Sequence, residues 1–270
     1  MKKLGILNTS IISENIGDSI IMDSALHELG AIISNSLVVQ FPTHEKLSLK
    51  SYRIQRNLDF NIACGTNLLH SHMGIIKQWN IGFIDAFALQ PIVLMGVGWR
   101  SQAKRIPDFY TKWLLKKILS KKYFHSVRDS YAENQLKYCG IENVINTGCH
   151  TLWSLTEEHC RTIPLTDYSR NPELDKKLIN TVIDEYEDCY FWCQGFNDME
   201  YIRDLDFNKK LTLIPTNLKA YDDLLSDQSL SLDYIGTRLH GGIRALQKSR
   251  RSLIVGIDHR ANVMGADFNL

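Results

Sequence analysis

An arginine and a histidine two residues apart stand between glycines in the segment GTRLHGG, residues 236–242. Because the apolar LDYI precedes this segment and a helix-like pattern follows it, Arg238 and His240 are expected at a strand–helix junction. A guanidinium there suits an anion, since the amides and dipole of a helix N-terminus add to its positive potential. A histidine can give or take a proton near neutral pH. The segment predicts an anion site in which Gly241 admits a ligand to the backbone; the alternative is that Arg238 pairs with an acid and His240 caps a turn.

Two further arginines stand at predicted strand ends. Arg128 follows YFHSV and precedes Asp129, a natural N-cap for the next helix, while Arg260 follows the last predicted strand. In open parallel sheets, ligands bind where the carboxyl ends of the strands meet the loops. The three arginines and His240 are therefore interpreted as one anion pocket with one titrating group. For Arg128 the alternative is an ordinary arginine–aspartate surface pair.

The segment ENIGDSII, residues 14–21, opens a predicted helix after the first strand. Gly17 allows a tight turn and Asp18 can cap the helix, so that the helix N-terminus offers amides to an anion or to a sugar hydroxyl. A simple turn with its cap is the alternative. The GVG segment at residues 96–98 lacks the full GxGxxG spacing, which gives no support to dinucleotide binding.

Other chemistry is poorly supported by the sequence. His70 and His72 are close enough to suggest a metal, but no third ligand is evident, so no metal site is predicted. The six cysteines form no CxxC pair, which indicates buried thiols in a reducing compartment rather than disulfides or zinc ligands. The chain contains no GxSxG, HExxH or Walker A pattern.

The bulk composition indicates an ordinary globular protein. The 270 residues are 44% hydrophobic and 23% charged, and the formal net charge of +1 gives no global field towards nucleic acid or an anionic membrane. The apolar run near the start is too short for a signal peptide, and no stretch reaches the roughly 18 apolar residues of a transmembrane helix. A cytoplasmic protein without a nucleic-acid partner is expected.

Short apolar runs alternate with amphipathic stretches along the whole chain, which predicts an α/β fold with parallel strands covered by helices. The alternation restarts after a polar stretch near residues 156–160. We therefore expect two α/β halves facing each other across a cleft, with an N-terminal domain over residues 1–155 and a C-terminal domain over residues 156–270.

Several segments together resemble the polysaccharide pyruvyl transferase family, and they appear in family order over nearly the whole chain. The matching pieces are NIGDSII, SVRDSYAENQLKYCGIENVINTGCHTLW, LTDYSRNPELD, YFWCQG, DYIGTRLHGGIRALQ and GIDHRANVMGADFNL. The resemblance implies two Rossmann-like halves in a GT-B-like fold, with the acceptor on the N-terminal side and the donor on the C-terminal side. It also implies transfer of a pyruvyl group from phosphoenolpyruvate, as a ketal, to a sugar of a surface polysaccharide or its lipid-linked precursor.

The resemblance assigns roles to the residues singled out above. His240 is the implied general acid, or the base on the sugar hydroxyl, and Arg128, Arg238 and Arg260 bind the acidic donor. It implies no cofactor and no metal, and it places the protein in the cytoplasm, at the inner face of the membrane through its acceptor.

The chain departs from the family pattern at three places. His150 stands where relatives often have proline, Cys64 replaces a common glycine, and the chain ends at Leu270 where relatives continue, so a truncated C-terminal domain is expected. Two other functions stay open: a nucleotide-sugar glycosyltransferase of the GT-B type, with Asp258 as one candidate ribose ligand, and a non-catalytic glycan-binding protein.

Overall fold

A computed structural model describes residues 1–100, 106–155, 171–207, 211–256 and 259–268. The strands are β1 (Lys2–Asn8), β2 (Ser36–Pro42), β3 (Phe60–Cys64), β4 (Ile92–Met95), β5 (His125–Val127), β6 (Val144–Asn146), β7 (Tyr190–Trp192), β8 (Thr212–Ile214), β9 (Asp233–Gly236) and β10 (Arg251–Ile254). The helices are α1 (Gly17–Glu28), α2 (Gly30–Ile33), α3 (Leu49–Gln55), α4 (Asp85–Ala88), α5 (Phe109–Ile118), α6 (Ser130–Tyr138), α7 (Pro172–Glu185), α8 (Phe196–Asp204), α9 (Leu218–Ser226), α10 (Leu239–Gln247) and α11 (His259–Phe268).

The predicted α/β class with parallel strands is confirmed. Every strand pair that forms a ladder in the described residues is parallel. The predicted strand RTIPLT, at residues 161–166, lies outside the described residues. Four helices that the sequence did not indicate, α2, α3, α4 and α11, are present as well.

Three of the predicted helices begin at a residue whose side chain caps the helix. Asp108, Asp129 and Asn171 each accept a hydrogen bond from the backbone amide three residues on, at the start of α5, α6 and α7. Pro172 occupies the first position of α7, where its missing N–H costs no hydrogen bond. These local signals fix where the helices begin, and so where the strand-end residues lie.

The chain divides into two compact units. The first consists of Met1–Ser13, Ile21–Ser154 and Ala266–Phe268, and the second of Glu14–Ile20, Leu155–Gly265 and Asn269–Leu270. Glu14–Ile20, which includes the first turn of α1, thus belongs to the second unit, and the end of α11 belongs to the first. In the first unit Asp267 accepts a hydrogen bond from the Ser130 amide at 2.8 Å.

The first unit is built on a four-stranded parallel sheet in the order β2-β1-β3-β4. Successive residues of these strands point to opposite faces, which gives the unit two apolar cores. Leu7, Ala63 and Leu94 belong to the larger core, and their neighbours Ile6, Ile62 and Met95 to the smaller. Such two-sided burial explains why the strands read as continuous apolar runs rather than as alternating ones.

The second unit contains two separate parallel pairs, β7 with β8 and β9 with β10. Helix α10 contacts both β9 and β10, as the crossover between two parallel strands should. Among the described residues, no ladder joins β7 to β9, and a cavity described below is lined from both strands.

None of the helices in the described part of the chain has the length and apolar character needed to cross a membrane.

Candidate functional site

Arg238 and His240 lie where the sequence predicted them, at the junction between β9 and α10 in the second unit. Arg238 occupies the N-cap position of α10 in an extended conformation, and His240 is buried in the first turn. The Arg238 carbonyl accepts hydrogen bonds from the Tyr234 hydroxyl at 2.9 Å and from the Gly242 amide at 3.1 Å. These bonds fix the backbone from which the Arg238 and His240 side chains project.

The Arg238 guanidinium forms an ion pair with Asp198, whose Oδ1 lies 2.5 Å from Nη2. The other oxygen of Asp198 accepts hydrogen bonds from the amides of Gln194 and Gly195 at the start of α8. The acid-paired alternative for Arg238 is therefore present in this structure. Because 41% of the Arg238 side chain remains exposed, the guanidinium is also accessible to solvent.

The two glycines that follow His240 allow α10 to pack closely. A Cβ at Gly241 would overlap the Gln194 amide nitrogen, and one at Gly242 would lie 2.6 Å from the Ile254 Cδ1. The Tyr221 hydroxyl donates a hydrogen bond to the Gly241 carbonyl at 2.9 Å. Gly241 thus lets the N-terminal turn of α10 lie against Gln194 after β7, and Gly242 lets it lie against Ile254 of β10.

Gly17 and Asp18 lie in the N-terminal segment that belongs to the second unit. The Ile16 amide donates to the Gln194 carbonyl at 2.9 Å, and the Asn15 side chain accepts from the Gly17 amide at 3.0 Å. Asp18 is buried in the first turn of α1. The structure thus brings the start of α1, the end of β7 and the start of α10 together.

Gln194 and Asp198 also lie at this junction, and the sequence patterns did not indicate them. Gln194 contacts both Ile16, just before α1, and Gly241 of α10, and Asp198 pairs with Arg238. The available signal was the segment CQG directly after the apolar YFW, since a polar residue at the carboxyl end of a parallel strand is a candidate for a site.

A cavity of about 660 Å³ lies in the second unit. Aromatic rings form part of its lining, and Trp192 stacks on Tyr221 with ring centroids 3.9 Å apart. Arg238 is the one lysine or arginine among its described lining residues, and His240 is not part of the lining. Its carboxylates are Asp175, Asp188, Asp198 and Asp233. This excess of carboxylates over cations disfavours a multiply charged anion inside the cavity.

Arg128 lies in the first unit, directly after β5, and its relative exposure is 0%. Its Nη2 donates to the Asn67 side chain, and its Nε lies 3.4 Å from Asp129 Oδ2. A Cβ at Gly98 would lie 2.5 Å from the Arg128 Cζ, so only glycine fits there. Two loops that follow β3 and β4 therefore enclose the guanidinium, and its role in anion binding stays a prediction.

His150 is buried beneath the same two loops. Its Nε2 donates to the Ile21 carbonyl at 2.7 Å, and its ring lies against Gly65 and Gly96, which both have positive φ. Burial lowers the pKa of His150 to about 4, because the charged imidazolium loses its hydration there. The histidine that replaces a family proline is therefore a neutral packing residue of the first unit.

His70 and His72 lie close together, and the His72 Nδ1 is 3.0 Å from Asp108 Oδ2. Among the described residues, no three His, Cys, Asp or Glu side chains form a group that could hold a metal ion. Arg260 lies in α11, but its side chain is outside the described part, as is Asp258.

The chain matches a known protein family over most of its length. The model of the polysaccharide pyruvyl transferase family matches residues 15–259, which is most of the 270-residue chain. The chain belongs to the polysaccharide pyruvyl transferase family. The matched range contains Gly17, Arg128, Arg238 and His240, and the resemblance seen in the sequence is confirmed. Neither the curated proteins nor the solved structures contain a match.

Proposed function

We propose that this member of the polysaccharide pyruvyl transferase family uses phosphoenolpyruvate to place a cyclic pyruvyl ketal on a sugar of a surface polysaccharide or of its lipid-linked precursor. The family match carries the proposal, and the Arg238–His240 junction at the N-terminus of α10 supports it. A guanidinium and a titratable imidazole beside a helix N-terminus are suited to an acidic donor that must also be protonated.

The reaction needs one proton on carbon before the new bonds form. The methylene carbon of phosphoenolpyruvate takes a proton, which makes the adjacent carbon electron-poor. One sugar hydroxyl attacks that carbon, a second closes the ketal, and phosphate leaves with the electron pair of its bond to carbon. The two hydroxyl protons restore the acid and leave with the phosphate. We assign the carbon protonation to His240, with the base on the sugar hydroxyl as its alternative role.

The donor is proposed to bind at the first turn of α10 rather than inside the cavity. Phosphoenolpyruvate carries a phosphate and a carboxylate, whereas the cavity presents four aspartates and one arginine. The exposed part of Arg238 is suited to a donor oxygen, and the Asp198 carboxylate competes for the same guanidinium. Gly17, Asp18, Gly241 and Arg260 are proposed as further binding residues on the basis of the family motifs. The same motifs assign donor binding to Arg128, although its side chain is enclosed in the first unit in this structure.

The finer parts of the family resemblance are proposals as well. We propose a GT-B-like arrangement of two Rossmann-like halves, with the acceptor bound by the N-terminal half and the donor by the C-terminal half. The scheme requires no cofactor, since both new bonds use oxygen atoms of the acceptor. We also propose a cytoplasmic location at the inner face of the membrane; the free thiols among the described cysteines support a reducing compartment.

The test is phosphate release from phosphoenolpyruvate in the presence of a glycan acceptor. Replacing His240 with Asn keeps a polar side chain of similar size but removes the proton donor, and we expect a loss of about 10²- to 10⁴-fold in rate. His27→Asn is the matched control, because its side chain is 81% exposed and lies in the last turn of α1.

Circular dichroism and the rise of the melting temperature with phosphoenolpyruvate show whether the His240 variant still folds and binds the donor. Full activity of a folded His240→Asn protein would remove the proposed role. A melting temperature that rises with nucleotide sugars and not with phosphoenolpyruvate would replace the function with that of a glycosyltransferase.

A further inference from the structure

The first unit carries a cluster of large apolar side chains on its surface. Phe83, Ile84 and Phe87 are 62%, 67% and 62% exposed; the first two directly precede helix α4 and the third lies in it. Phe83 stacks on Trp113 of α5 with ring centroids 5.4 Å apart, and Phe87 lies 5.2 Å from Phe83. We name these four residues the aromatic patch. Phe109, at the first position of α5, is 86% exposed.

The chain around the aromatic patch is strongly basic. Residues 74–122 contain nine lysines and arginines and two aspartates, although the whole chain has a formal charge of only +1. Both aspartates already have partners: Asp85 is buried and accepts from the Tyr52 hydroxyl, and Asp108 caps α5 and pairs with His72. Although the net charge of the whole chain is close to zero, positive charge is therefore concentrated in this segment.

Three exposed cations lie close to the rings. The Lys117 Nζ sits 4.9 Å from the centroid of the Phe87 ring, and Arg56 lines a groove of about 420 Å³ together with Phe83, Ile84 and Phe87. Lys77 is also exposed. Its Nζ lies 3.9 Å from the position that a Cβ on Gly82, the residue before Phe83, would occupy. An apolar centre with a cationic rim results.

We propose that the aromatic patch and its rim dock the protein onto an anionic lipid surface, with the rings inserted at the interface and the cations on the headgroups. Aromatic residues are favoured at the membrane–water interface, and each nearby lysine or arginine is attracted by acidic headgroups. An anionic lipid surface accounts both for the exposed apolar side chains and for the excess of positive charge.

Two other partners match the surface less well. A second copy of the chain would bring two positive segments together, which like-charge repulsion opposes. A nucleic acid would suit the cations and could stack on the rings, but the exposed Ile84 and Ile75 have no planar surface for a base. A lipid surface can bury both aromatic and branched aliphatic side chains.

The inference rests on the proposed function and deepens it, because a lipid-linked acceptor would lie in the same membrane. Its test is independent of that function, since vesicle binding needs neither donor nor acceptor. The unmodified full chain is sedimented with vesicles of phosphatidylcholine alone and with vesicles that also contain phosphatidylglycerol. We expect binding to the anionic vesicles only, and weaker binding as salt is added. Phosphate release with a water-soluble acceptor is measured on the same samples.

Two pairs of substitutions test the two halves of the surface separately. Phe83→Ser with Phe87→Ser should weaken vesicle binding at least about tenfold, because two inserted rings are lost. Arg56→Glu with Lys117→Glu should weaken it by more than about tenfold, and only on anionic vesicles. All four side chains are exposed, so the fold should tolerate the changes, which circular dichroism checks.

The matched control is Leu174→Ser with Lys176→Glu, which removes an exposed apolar residue and an exposed lysine from α7 in the second unit. It should bind vesicles like the unmodified protein. Unchanged vesicle binding in the two patch variants, or no binding by the unmodified protein, overturns the inference. So does a change of oligomeric state in the patch variants, or tighter binding to single-stranded DNA than to anionic vesicles. Phosphate release with the soluble acceptor reports on the transferase function independently of these outcomes.

Discussion

Arg128 in the first unit and Arg238 in the second occupy the same kind of position and have different surroundings. Each lies just after a parallel strand, at the start of a helix. Arg128 is fully buried and contacts Asn67 and Asp129, whereas the Arg238 side chain is 41% exposed and pairs with Asp198. A strand-end arginine can thus be part of the interior or be accessible to a ligand.

The neighbouring glycines show the physical origin of the difference. At Gly98 the space that a Cβ would need is filled by the Arg128 guanidinium. At Gly195 the nearest atoms of Arg238 and Asp198 are 3.8 Å from such a Cβ, which is ordinary van der Waals contact. The first arginine is therefore tightly enclosed, and the second has room to adjust when a ligand arrives.

The largest contrast is expected when each arginine is removed. Arg128→Ala should lower the free energy of unfolding by about 3–5 kcal/mol, because it leaves the buried Asp129 without its cation. Arg238→Ala should cost at most about 1 kcal/mol, since its ion pair is partly exposed. Urea unfolding followed by circular dichroism measures both. Equal losses in the two variants would show that burial does not distinguish the arginines.

Acid should destabilise the first unit through His150, the buried neighbour of these loops. Its pKa is about 4 in the folded protein and near 6.5 when unfolded, so the unfolded state binds the proton first. Protonation of His150 therefore leaves the free energy of unfolding unchanged above about pH 6.5. It lowers that free energy by on the order of 3 kcal/mol as the pH drops to about 4. His150→Gln removes this titration.

Urea unfolding across that pH range compares the His150→Gln variant with the unmodified protein. A part of the slope should remain in the variant, because burial lowers the pKa of His125 as well. An identical slope in both proteins would mean that His150 takes up its proton without a penalty in the folded state.

The glycines give the next contrast. Gly98→Ala should cost about 1–3 kcal/mol of unfolding free energy, because the new methyl group overlaps a guanidinium that cannot move away. Gly195→Ala, the matched change beside Arg238, should cost less than about 1 kcal/mol. Thermal melting of the two variants measures this difference. A Gly98→Ala protein as stable as the original would show that the Arg128 side chain can adopt another conformation.

The smallest effect concerns the accessible arginine. Asp198→Asn keeps an oxygen for the amides of Gln194 and Gly195 but removes the negative charge that competes for Arg238. If Arg238 binds the donor, the KM for phosphoenolpyruvate should fall about threefold, as expected when a partly exposed ion pair is lost. Donor titrations at fixed acceptor concentration give the value. A KM that does not change would assign Arg238 to the ion pair alone.

Much of the fold could be predicted from local patterns. The ten described strands coincide with apolar runs, and α5, α6 and α7 begin at the side chains that cap them. The four helices that were not predicted include two of only four residues, which are too short for a periodic pattern. The placement of Glu14–Ile20 in the second unit depends on contacts with Gln194, about 180 residues away, and no local pattern reports such contacts.

The sequence by itself determined the family, the α/β pattern and the position of Arg238 and His240 between a strand and a helix, because residue types, spacing and periodicity are local properties. Only the tertiary structure decided that Arg128 is enclosed, that Asp198 pairs with Arg238 and that Arg56 and Lys117 lie beside exposed aromatic rings. Each of these depends on atoms brought together from distant parts of the chain. Burial and electrostatic environment are properties of that packing. An arginine between a strand and a helix can therefore be enclosed, like Arg128, or accessible, like Arg238.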